Sequence, residues 1–155
     1  MTEMTWTTMR IGGELPADKI EELHEIVTGE FSDLQYDEGF GIDNLKEVAA
    51  AGKSLFIQGS ANDGNPQATA DFCRNNNLTF WLHYDAGYEW DAGIQIWKPG
   101  MDEFKECCAS AQGYGPAIDL AELRLYLARG DDLLTVVEAL APFDADAVPP
   151  LTITK

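Results

Sequence analysis

Apolar and polar residues alternate most strictly between Leu78 and Lys98, LTFWLHYDAGYEWDAGIQIWK. The alternation predicts two strands, Leu78–Tyr84 and Glu89–Lys98, joined by a turn at Asp85-Ala86-Gly87. Leu78, Phe80, Leu82 and Tyr84 fall on one face of the first arm, Thr79, Trp81 and His83 on the other. The second arm separates Trp90, Ala92, Ile94 and Ile96 from Asp91, Gln95 and Trp97. One face reads as core. The other, with its tryptophans, histidine and glutamine, reads as a recognition surface or a second core.

The same test carried along the chain gives the remaining elements. Thr5–Ile11 is a strand closed by Gly12-Gly13, with Trp6, Thr8 and Arg10 on one side. Pro16 opens a helix that Gly29 stops, and Ile20, Leu23 and Val27 form its apolar stripe. Phe31–Gly41 has no period and reads as a loop with an extended piece near Leu34–Tyr36. Asp43 caps a helix over Asn44–Ala51, and Lys53–Gly59 is a strand. Asn65 starts a helix reaching Arg74, which Asn75-Asn76-Asn77 ends because asparagine tolerates left-handed backbone.

Beyond the hairpin, Glu103–Ala109 reads as a further antiparallel strand or, from DEFKECC, as the start of a helical turn. Asp119 caps a helix with Leu120, Leu123, Tyr126 and Leu127 inward, and Gly130 stops it. Asp131 caps the next, with Leu133, Val136, Val137 and Leu140 inward. Residues 143–155 read as linker or tail, in which Leu151–Ile153 either adds an edge strand or stays frayed. The order β-α-α-β-α-β-β-(β)-α-α predicts one α+β domain over residues 1–155. Its mixed or antiparallel sheet is expected to have about four to five strands with helices packed on it.

Composition changes this picture through charge. Twenty-seven acids against ten bases leave −17 on 155 residues. Such a field repels nucleic acid and anionic membranes and draws in basic partners. Glu14–Glu47 concentrates it, with eleven acids and two lysines. No run of about 18 apolar residues is present to span a membrane. The N-terminus lacks the basic and apolar regions of a signal peptide, so a cytoplasmic protein is expected.

Chemical motifs are sparse. Cys73, Cys107 and Cys108 form no disulfide framework, and with His24 and His83 they lack zinc-ligand spacing, so no metal or cofactor is expected. Neither phosphate-loop pattern is present in SANDGNP. No hydrolase or zinc-enzyme motif supplies a catalytic centre, so catalysis is disfavoured.

The preferred reading is a non-enzymatic, acidic interaction module for a basic protein, of the kind that stands in for nucleic acid and inhibits its binder, as anti-restriction and anti-CRISPR proteins do. Asp18, Glu21, Glu22, Glu25, Asp33, Asp37 and Glu38 are its candidate partner-binding residues. The alternative is a small-ligand protein or small enzyme using Trp6, Arg10, Trp81, His83, Gln95 and Trp97. Burial of so much aromatic surface is expected in either case, by the C-terminal helices or by a second copy in a homodimer.

Overall fold

The computed structural model describes residues 3–35, 41–110 and 114–155. In chain order its elements are β1 (Met4–Pro16), α1 (Ile20–Glu30), β2 (Ser32–Gln35), α2 (Ile42–Ala50), β3 (Leu55–Asn62), α3 (Gln67–Asn75) and β4 (Thr79–Tyr84). There follow β5 (Gly93–Trp97), β6 (Lys105–Ala109), β7 (Pro116–Ala117), α4 (Leu120–Ala128), α5 (Leu133–Leu140) and β8 (Leu151–Thr154). Short 3-10 turns lie at Ala17–Lys19, Ala141–Phe143 and Ala145–Ala147.

The α+β class holds, but among the described residues the sheet has eight strands, not four to five. Its order is β2-β3-β1-β4-β5-β6-β7, antiparallel throughout, and β8 adds to β1 in parallel. The extra strands come from two places where sequence periodicity is silent: the irregular stretch after Phe31, which supplies β2, and the two-residue β7.

Strand β1 is long because it has three partners. Met9 faces Ile57 of β3 and Leu82 of β4, and the segment past Gly12 then pairs with β8. Gly13–Pro16 is therefore strand, and Pro16 ends it in extended backbone instead of opening the helix. Gly12 is needed where the C-terminal segment crosses, because a Cβ there would run into the Pro149 carbonyl.

Apolar stripes from three helices cover one sheet face. Ile20, Leu23 and Val27 of α1, Leu45 of α2, and Phe72 and Cys73 of α3 pack against Met9, Ile11, Leu55, Ile57, Phe80 and Leu82. Caps differ from expectation at two of the helices. Gly41 precedes α2, its N–H held by Asn44 Oδ1 at 3.0 Å, so Asp43 lies inside the helix. Asp132, not Asp131, caps α5, accepting from the Thr135 N–H at 3.0 Å. Asp119 caps α4 as expected, accepting from the Glu122 N–H at 2.7 Å. Asn77 takes the left-handed backbone expected of it, with φ 55°.

The central hairpin is looser than its alternation implies. Its second strand begins at Gly93, four residues late, so Asp85–Ala92 forms a long connection where a tight turn was expected. The Trp90 indole folds back over Gly87 and donates to the Asp85 carbonyl at 3.1 Å. Register then decides the faces. Phe80 pairs with Trp97 and Leu82 with Gln95, so Trp97 joins the helix-covered core, and Ile94 and Ile96 join Trp81.

A second, smaller core results on the opposite face. Trp81, Ile94, Ile96, Phe143 and Val148 form it, closed by the 3-10 turns of residues 141–147 and not by α4 or α5. The segment expected to be linker is thus a structural cover, with Phe143, Val148 and Leu151 buried.

Candidate functional site

Two surfaces carry the residues singled out by sequence. The first is the outer side of α1 and the turn before it. Asp18, Glu21, Glu22 and Glu25 are all exposed, opposite the buried Ile20, Leu23 and Val27. Helical spacing makes them one row. Lys19 Nζ donates to Glu22 Oε2 at 3.1 Å, both groups exposed, so this pair is worth little. From Glu21 to Glu25 the helix advances about 6 Å, and Asp18 lies in the 3-10 turn before it.

Asp33 is exposed on β2 in left-handed backbone, φ 52°, and extends the acidic area without sharing the α1 row. Asp37 and Glu38 lie outside the described residues.

Glu30, at the end of the same helix, does something else. Its carboxylate accepts from the N–H groups of Ala68 and Thr69, each at 2.8 Å. These amides open α3, whose own N-cap position is Pro66 and offers no side-chain cap. A distant acid supplies the missing acceptor and the negative charge that a helix N-terminus favours. Nothing local in the sequence marks this role, because the partners are 38 and 39 residues away.

The second surface is the sheet face opposite the helices. Strand register gathers Trp6, Thr8 and Arg10 of β1, Phe56 and Gln58 of β3, and Trp81 and His83 of β4. Gln95 and Trp97 fall on the other face, so the alternative ligand surface is divided. Gln95 Nε2 donates to Glu106 Oε2 at 2.7 Å, and the Trp97 indole donates to the Met101 carbonyl at 3.0 Å. Trp6 remains half-buried, and Arg10 lies 5.3 Å above the Phe56 ring. Trp81 is buried, its indole donating to the Phe143 carbonyl at 2.8 Å.

His83 is only 3% exposed, and among the described residues neither ring nitrogen has a hydrogen-bond partner. Asp85 Oδ1 stands 3.8 Å from Nδ1, beyond hydrogen-bond length. Burial holds the imidazole below its ordinary pKa, against the opposing pull of Asp85. Tyr114 places its ring edge-on at 5.0 Å, and Trp81 stacks at 6.2 Å. The Gln58 side chain ties Tyr114 to the buried Thr8 by two hydrogen bonds of 3.2 Å. Tyr114 lies in a stretch that reads only as loop, so sequence offered no route to it. The imidazole is thus enclosed by aromatic rings, with Asp85 beside it on the side of Nδ1.

No family model matches this chain, and neither a curated protein nor a solved structure matches it.

A cleft of about 410 Å³ is lined in part by Tyr84, Trp90, Glu106, Cys107, Cys108 and Glu122. Burial, then the neighbouring Cys108, Glu122 and Glu106, push the Cys107 thiol up to about 12. A nucleophilic thiol is lowered into the thiolate range by cations or helix N-termini, and Cys107 has the opposite surroundings. Burial also raises the Tyr84 phenol, and the Glu106 carboxylate beside it adds to the effect. Among the described residues, no three His, Cys, Asp or Glu side chains converge as a metal site, and no helix is long and apolar enough to cross a membrane.

Proposed function

We propose that the protein is a non-enzymatic interaction module that engages a basic protein through its acidic α1 face, in place of the nucleic acid that partner binds. The observation that supports it best is the exposed row Asp18, Glu21, Glu22 and Glu25, set on a helix whose opposite side is locked into the core. Backbone rigidity fixes the spacing of the charges, so arginines in a groove meet them without the acidic helix first having to order. The field of the whole chain, −17, speeds encounter with a cationic surface and repels nucleic acid itself.

The test is affinity capture at low and moderate salt, with the bound proteins identified by mass spectrometry. The triple change Glu21→Gln, Glu22→Gln, Glu25→Gln should leave the fold intact and release the basic proteins, as should added duplex DNA or RNA. His83→Ala should leave capture unchanged. Capture that survives the triple change with its salt dependence intact, or that only His83→Ala abolishes, overturns the proposal.

A further inference from the structure

The C-terminal helices are composed like core and placed like surface. Leu120, Leu125 and Leu127 of α4 are 60–66% exposed, and α4 buries none of its residues. Leu133, Leu134 and Val137 of α5 are 53–76% exposed, and Val136 is the residue of that helix that is buried. Gly130, at φ 81°, turns the chain between the two helices. A nine-residue helix with so little tertiary packing is only marginally stable in water. A helix apolar on nearly all sides belongs in an interior.

We infer that a second copy of this chain docks on α4 and α5, each copy's helices completing the other's core. Two observations select a copy over a foreign partner. The first is the apolar surface itself: Leu120 and Leu127 share one face of α4, Leu133, Leu134 and Val137 lie within one arc of α5, and each is more than half exposed. Large aliphatic side chains grouped in this way mark an interaction site.

The second is charge. Glu14–Glu47, with a net of −9, repels another copy and attracts a basic partner. Residues 120–140 carry both signs, with Arg124 and Arg129 against Glu122, Asp131, Asp132 and Glu138. A two-fold interface sets each patch against itself, so a surface with both signs can be self-complementary where a uniformly acidic one cannot. Arg124 lies between Leu120 and Leu127 on their helix face and is exposed without a described carboxylate partner, so it is free to pair across the two-fold.

Sedimentation equilibrium of the full chain over a dilution series tests this. Twice the chain mass is expected, and the dimer should strengthen as salt rises, because screening removes repulsion between two −17 particles while the contact is mainly apolar and loses little with its few exposed ion pairs. Capture through the α1 face weakens with salt, so the two interfaces are distinguishable. Leu133→Glu with Val137→Glu, both at exposed positions, should keep the circular-dichroism spectrum and weaken dimerisation at least about tenfold. Single chain mass at every concentration and salt overturns the proposal. So does a dimer that the double change leaves intact.

Discussion

Replacing Glu30 with alanine separates structural acids from partner-binding ones, because its neighbour on the same helix provides a matched control. Glu30 accepts two N–H groups of α3 at 2.8 Å, and Glu25 is exposed on the outer row. Losing an N-cap acceptor typically costs ~0.5–2 kcal/mol, and hydrogen bonds to a charged group reach ~1.5–3 kcal/mol each where water is excluded. Glu30 is half-exposed, so water re-solvates both amides once it is gone and the lower range applies. The expected loss is about 1–2 kcal/mol, which in a chain of this size lowers Tm by roughly 3–6 °C. Glu25→Ala should stay within about 0.5 kcal/mol, as surface changes do. Urea unfolding followed by tryptophan emission measures both, with the slope m expected to be common to the two. Equal midpoints for Glu30→Ala and Glu25→Ala would refute the capping assignment. It would also return Glu30 to the acids available to a partner.

Two further outcomes concern the sheet face opposite the helices. Phe143→Ala should cost about 2–4 kcal/mol, because the ring is 8% exposed against Trp81, Ile94, Ile96 and Val148; it should also red-shift tryptophan emission, and a loss below about 1 kcal/mol with unchanged emission would show that residues 141–148 do not hold this core. For His83 the folded-state pKa lies below the unfolded value of 6.5, so neutral imidazole costs nothing above that pH, and stability is lost as pH falls through it, by at most about 1.4 kcal/mol per pH unit until the folded pKa is passed. His83→Phe should flatten this slope below about pH 6.5 relative to the parent, and identical slopes in parallel urea titrations would place the pH response elsewhere.

Element types were legible wherever a segment's own spacing determined its burial. The α1 stripe, the Asp119 cap and the left-handed Asn77 stand in the structure as local pattern implies, whereas β4 is buried on both faces. What escaped were relations set by distant partners. Strand β2 carries no period because its pairing with β3 is irregular, with a register shift between Ser32 and Gln35. The extension of β1 past Gly12 is stabilised by β8, which lies at the other end of the chain. Alternation within β5 was read correctly, but which side met the helices depended on an eight-residue connection whose length shifted the register. One strand phase thus moved Trp97 and Gln95 away from Trp81 and His83 and divided the ligand surface proposed from sequence.

The acidic row was legible for the opposite reason, since it lies on a helix anchored by its own stripe and needs no partner strand to set its direction. Legibility of that kind reaches further at α4 and α5. Their leucines and valines read as inward-facing, yet the folded single chain leaves most of them in water. The pattern and the fold disagree only if the unit of folding is one chain. An isolated monomer would carry this apolar surface into every encounter, and a net charge of −17 would be its main defence against aggregation. In the dimer we propose, the same residues would become interior, as their spacing implies, and two acidic α1 faces would be offered to the proposed basic target. Two such faces on one particle raise the effective concentration of the second contact for any target with repeated basic sites. The dimer-breaking change Leu133→Glu with Val137→Glu should then weaken capture of such a target while sparing a single-site one, although neither residue belongs to the acidic row.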